Sequence, residues 1–166
     1  MIAFKVAGVP APQGSKTRTR WGGIREDNPA TRPWREAVAW AATQAMQGGD
    51  PEGHSRILEV RPPLTGPLEL AVAFYFPRPK SHYGTGRNAG RLKDTAPTWC
   101  ATKPDVDKLV RAIGDAITGI VCRDDSQIVR VTAWKLYGTP AAEISVRPAD
   151  GVAAALNPPT GRNQAA

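Results

Sequence analysis

The segment Leu68 to Phe76 reads Leu-Glu-Leu-Ala-Val-Ala-Phe-Tyr-Phe and is stopped by Pro77. An apolar and aromatic run of that length, closed by a proline, predicts a strong β-strand. The remaining elements arrange themselves around it. Ile2 to Val9 alternates loosely and ends at Pro10, a first strand. Thr31 is a candidate helix cap with Pro33 in the first turn, and Trp34, Val38, Ala41, Ala42 and Ala45 follow at helical spacing until Gly48-Gly49. A second helix is expected from about Asp105 to Thr118, with Gly119 as its stop. Gln127 to Tyr137 alternates as a strand. Gly138-Thr139-Pro140 is a turn, and Ala142 to Val146 is a last strand expected to pair back as a hairpin. The order β-α-β-α-β-β predicts an α+β domain of two layers, a mixed sheet with two helices packed on it. One domain over residues 1–147 is expected, with a flexible tail over 148–166.

The chain of 166 residues carries 22 Lys and Arg against 15 Asp and Glu, a net charge of +7. The segments 13–35 and 78–103 carry +4 and +5, more than the whole net charge. Basic charge concentrated on loops points to an anionic partner, with nucleic acid first. Ordinary solubility is the competing reading. Cys100 and Cys122 make no metal or redox motif, so a reducing, cytoplasmic setting is expected. The opening apolar run is too short for a signal peptide, and no membrane association is expected.

Against this background four aspartates fall within twenty-one residues: Asp105, Asp107, Asp124 and Asp125. At about 100° per residue, Val106, Leu109, Val110, Ile113 and Ile117 share the helix face expected to pack on the sheet. Asp107, Arg111 and Asp115 lie four apart on the opposite side. Each acidic feature has an ordinary structural reading: a helix cap, a surface ion-pair ladder, a turn. Together they suggest more. A strand running back along the helix is expected to bring Asp124-Asp125 near the Asp105 end. Such a site offers only oxygen ligands, which suit Mg²⁺ or Mn²⁺. Zinc is disfavoured, because His54 and His82 stand in loops far from any thiol cluster. A bound divalent ion lowers the pKa of water and polarises a phosphoryl group. Arg111 and Lys108 are the nearest cations to stabilise added negative charge.

Lys103-Pro104-Asp105-Val106-Asp107, then Leu109, Asp115-Ala116, Gly119-Ile120-Val121 and Asp124-Asp125-Ser126-Gln127-Ile128-Val129, resembles the RusA family of Holliday junction resolvases. The tight match spans about Lys103 to Val131, and the element order matches more loosely from Ile2 to Val146. The resemblance implies a homodimeric α+β endonuclease. It would bind four-way DNA junctions and cut two opposing strands symmetrically with Mg²⁺ or Mn²⁺. It also implies catalytic roles for Asp105, Asp107 and Asp125, with Asp124 adjacent among the metal ligands and Arg111 as the helix cation. Two positions depart from the pattern: Lys108 stands where Asn is common, and Arg111 where Lys is common. Arg keeps the charge but does not donate a proton near neutral pH.

Candidate DNA contacts are Lys16, Arg18 and Arg20 beside Trp21, then Arg78 and Lys80 on the long 78–103 loop, and Lys103 and Lys108 flanking the first acidic pair. Trp21 is equally a packing anchor, and the basic loop equally a solvated one. Trp34 and Trp134 are expected in the core. Symmetric cutting predicts a C2 homodimer, with apolar surface on Leu68–Phe76 and Gln127–Tyr137 available for it. A non-catalytic junction- or single-strand-binding protein and a nuclease for flaps or other branched DNA are the alternatives.

Overall fold

The computed structural model describes residues 1–14, 16–18, 22, 24–26, 28–48 and 59–149. In chain order it contains β1 (Ile2–Ala7), β2 (Lys16–Arg18), β3 (Ile24–Glu26), α1 (Thr31–Met46), β4 (Gln47–Gly48), β5 (Glu59–Val60), β6 (Leu68–Phe76), α2 (Val106–Ile117), β7 (Ile128–Tyr137) and β8 (Ala141–Pro148). The main sheet has four strands in the order β1-β8-β6-β7. β8 is antiparallel to both β1 and β6, and β6 is parallel to β7. The sheet is therefore mixed, and the α+β order read from the sequence holds. The pairs β2–β3 and β4–β5 form two further short ribbons that the expected element order does not contain.

The strand order overturns the expected β7–β8 hairpin. β6 is buried along nearly its whole length, including Leu68, Leu70, Val72, Phe74 and Phe76. A strand that apolar gains most from neighbours on both edges. β8 therefore enters between β1 and β6, and the 138–140 turn passes over the end of β6, where Gly138 N–H donates to the Phe76 carbonyl. β7 is left at the edge with Val129 and Val131 exposed. Of the two strands expected to offer apolar surface to a partner, β7 exposes the larger side chains, and β6 contributes Ala71 and Ala73 to the groove on the open sheet face.

Both helices close the core. Trp34, Val38, Ala42 and Met46 of α1 and Leu109, Ile113 and Ile117 of α2 are buried with the β6 and β8 side chains. Fully burying each large aliphatic side chain is worth about 1.5–3 kcal/mol. Thr31 does not cap α1 as expected. It is the first helical residue, fully buried, and its hydroxyl donates to the Pro12 carbonyl at 2.8 Å. Val106 is also misplaced by the helical wheel. It opens α2 beyond the sheet's cover and is 41% exposed. Trp34 is in the core. Trp134 is half-buried and lines a groove on the sheet face away from the helices.

The 78–103 segment is built from turns, with 3-10 helices at Lys80–His82 and Gly86–Asn88 and a bridge between Tyr83 and Leu92. No helix among the described residues is long and apolar enough to cross a membrane.

Candidate active site

The crossover β6–α2–β7 sets the position of both acidic pairs. Asp105 occupies the N-cap position of α2, with extended backbone and no side-chain capping bond. Its carboxylate instead meets the Lys108 ammonium at 3.1 Å, both groups about half exposed. Asp107 lies in the first turn, where the helix dipole favours a carboxylate. The 8–14 segment is tied across this helix start: Gln13 N–H donates to the Lys108 carbonyl at 2.9 Å.

Along α2, Asp107, Arg111 and Gly114 fall on one strip at helical spacing. Asp107 and Arg111 are exposed and Gly114 is buried. A Cβ placed on Gly114 would stand 4.0 Å from the Asp125 Cβ. The Asp124-Asp125 turn thus lies against the far part of the strip, and not at the helix start where the sequence had led to expect it. Gly114 is seven residues beyond Asp107, about 10 Å along the axis. The parallel β6–β7 pairing explains the shift. β7 must begin level with Leu68 of β6, so the turn that feeds it stays at the C-terminal part of α2. Among the described residues the expected ion-pair ladder does not form, and Asp115 instead approaches Arg35 of α1 at 3.9 Å.

The turn itself is heavily tied. Ser126 N–H donates to Asp124 Oδ1 at 2.9 Å. The Gln127 side chain accepts from Arg123 N–H at 2.8 Å and Asp124 N–H at 3.2 Å, and donates to the carbonyls of Leu64 and Gly66. Hydrogen bonding from Ser126, side chain first and then backbone, holds the Asp124 carboxyl below its ordinary range. Asp125 is exposed and leads the 3-10 turn Asp125–Gln127. Beneath them Cys122 is buried. Burial pushes its thiol up, and the neighbouring Asp125 and Asp124 charges add to that. It is an inert core thiol, and Cys100 is likewise free and buried.

Among the described residues no three His, Cys, Asp or Glu side chains gather closely enough to hold a metal ion. The structure brings Asp105 and Asp107 to one end of the strip and Asp125 to the other, with Asp124 committed to the turn. The donor set nevertheless suits a hard cation: carboxylates only, and all four exposed to water. Mg²⁺ and Mn²⁺ commonly take one or two carboxylates and complete their shell with water and phosphate oxygen.

The expected DNA contacts divide. Lys103 and Lys108 flank the first acidic pair and are exposed, as is Lys80. Arg78 has a structural partner: its guanidinium lies 4.3 Å over the Tyr137 ring centroid and donates to the Pro97 carbonyl. Lys16 and Arg18 lie on β2, whose side chains are outside the described set, and Arg20 and Trp21 lie outside the described residues altogether. Two contributors were not singled out by sequence reasoning. Gly114 carried a signal, since glycine inside a helix costs about 1 kcal/mol against alanine and asks for a packing reason. Gln127 carried another, the Asp-x-x-Gln spacing of a reciprocal cap.

A family model described as Endodeoxyribonuclease RusA matches residues 7–147. A protein of Bacillus subtilis (strain 168) bearing the name Uncharacterized protein YqaN is 32% identical over 155 residues, covering 88% of this chain and 95% of that protein.

Proposed function

Since the chain belongs to the RusA endodeoxyribonuclease family, we propose that it is a metal-dependent endonuclease that resolves four-way DNA junctions by paired cuts. The single observation that carries this reading is the strip on α2. Asp107 and Arg111 project from it, and the Asp125 turn packs on its one glycine, in a chain of net charge +7. A DNA-binding module would gain affinity by losing these acids, because carboxylates repel phosphates. Keeping all four is intelligible if they hold a cation.

Asp105, Asp107 and Asp125 are the residues that would hold Mg²⁺ or Mn²⁺, with Asp124 stiffening the turn beside them. When bound, the ion supplies an activated water and neutralises charge on the phosphoryl oxygens. The chain's own residues do the rest. Arg111 stabilises the negative charge that develops at the scissile phosphate. It does so as a fixed cation, since a guanidinium does not release its proton near neutral pH. Lys108 offsets the Asp105 charge in the free protein and turns to phosphate when DNA arrives. Lys103, Lys80 and the basic residues of β2 extend the positive track for the DNA arms, with Arg20 belonging to the same basic segment. Arg78 acts indirectly, by fixing Tyr137.

Two symmetric cuts on a two-fold substrate call for a C2 homodimer. The edge strand β7, with Val129 63% and Val131 47% exposed, offers apolar surface for it.

The test is cleavage of a synthetic four-way junction with Mn²⁺ or Mg²⁺, beside flaps, single strands and plain duplex. Paired nicks that require the ion, favour the junction and fall to single nicks when wild-type and Asp107→Asn subunits are mixed support the reading. Cleavage confined to flaps would reassign the substrate. Junction binding with no cleavage under any divalent ion would make the protein a binding module.

A further inference from the structure

The N-terminal end of α2 opens onto a cavity of about 680 Å³ that takes in Asp105 and Lys108 themselves. Its other walls come from the 9–12 segment, the 28–30 turn, the end of β6 and the 100–104 segment. That volume is in the range of pockets that enclose a small organic group. The walls are stiff and mostly apolar. Pro10, Pro12, Pro77, Pro79 and Pro104 contribute rings and no backbone N–H donors. Tyr137 also lines the cavity, and its ring is immobilised from outside. Arg78 covers it at 4.3 Å and His82 meets it edge-on at 5.4 Å between centroids. An aromatic already fixed in place loses little freedom when a second ring stacks on it. Positive charge stands at the mouth on Lys103 and Lys108, both exposed. Apolar walls, a cationic rim and a boundary shared with Asp105 match the parts of one nucleotide, a base face beside a phosphate.

Resting on the nuclease reading above, we propose that this cavity receives one unstacked base of the branched DNA, next to the phosphodiester that is cut. Extruding a base is least costly where stacking and pairing are already interrupted, as at a branch point. Lys103 and Lys108 hold the phosphates on either side, while Tyr137 and the proline rings contact the base. Walls poor in N–H donors read a base by shape and stacking more than by a hydrogen-bond pattern. Preference among the bases is therefore graded rather than absolute.

The test is a scan in which the base is removed from each nucleotide near the cut in turn. Single-turnover cleavage is followed with Mn²⁺, and junction affinity with Ca²⁺. The wild type should show one nucleotide whose base, once removed, lowers cleavage on the order of tenfold. Two variants outside the acidic site then close the argument. Ala30→Trp fills the cavity from an exposed position on its wall, and Tyr137→Ala removes the stacking ring. Each should cut the intact junction on the order of tenfold more slowly, with little further loss when the base is missing. A wild type that tolerates base removal at every position near the cut overturns the proposal, whatever the variants do. So does an undiminished penalty in both variants. Either result leaves the nuclease reading standing if the intact junction is cut. A protein that cuts no branched DNA would instead fell that reading first.

Discussion

Asp124 and Asp125 stand in a turn fastened on all sides, whereas Asp105 and Asp107 stand at a helix start with few restraints. The turn has the Ser126 amide on Asp124, the Gln127 side chain on two backbone amides, and the same side chain anchored on Leu64 and Gly66. The helix start has an uncapped Asp105 whose described partner is Lys108, a half-exposed pair of the kind worth about 0–1 kcal/mol. One half of the site is built before any ligand arrives, and the other is free to adjust. If Asp105, Asp107 and Asp125 hold one cation between them, as proposed above, the adjustment would fall on the loosely held side, where its cost is smallest.

The contrast is tested most severely by removing one carboxylate from each side. Asp107→Asn and Asp125→Asn should each abolish cleavage, with the fold kept and junction affinity equal or higher. Gel-based single-turnover assays with circular dichroism check this, and near-wild-type cutting by either variant would take that residue out of the site. The next effect is in the rigid half. Gln127→Ala removes four hydrogen bonds and should cost about 1–3 kcal/mol of stability. Urea unfolding measures it, and a loss of cleavage larger than the loss of metal-free junction binding should accompany it. An unchanged unfolding midpoint would mean the turn is not rigid for the reason given.

In the adaptable half, Lys108→Asn frees Asp105 and should tighten Mn²⁺ binding by a few-fold, up to about fivefold, read by calorimetry. Weaker binding would show that Lys108 supports the site instead of competing for it. The smallest effect is on pH. Asp124 has a folded pKa below its unfolded value, so its contribution is present above about pH 4 and lost as pH falls through the lowered value. The stability difference between wild type and Asp124→Asn should shrink as pH drops through that window. A difference flat with pH would deny the hydrogen bonds their role.

Local patterns were readable because they depend on neighbours in the chain. β6 declares itself by an apolar run closed by proline, and α2 by Leu109, Ile113 and Ile117 at helical spacing. Gly119, with φ +79°, ends α2 in the left-handed conformation its lack of a Cβ permits. The errors came from contacts between distant segments. Whether β8 pairs with β7 or slips between β1 and β6 depends on which strand most needs two neighbours, a property of the assembled sheet. Thr31 looked like a cap because its bond to the Pro12 carbonyl joins segments nineteen residues apart. The stacking of Arg78 on Tyr137, which spans the β6–α2–β7 unit, was likewise invisible in the sequence. For the candidate site, the placing of one acidic pair at a helix start and the other in the following turn was legible, and the distance between the two pairs was not. That distance is set by the β6–β7 register.

The parallel pairing of β6 with β7 joins Leu68 to Ile128 across an intervening stretch that holds the long basic segment and all of α2. Closing so large a loop is entropically uphill until the pairing itself forms, so this contact is among the costlier ones for the chain to establish. The two acidic pairs share a helix flank only after that step. A chain still being synthesised has Asp105 and Asp107 before it has the turn, and the turn before it has a place to dock. Docking of the Asp125 turn on the α2 flank thereby waits on completion of the sheet.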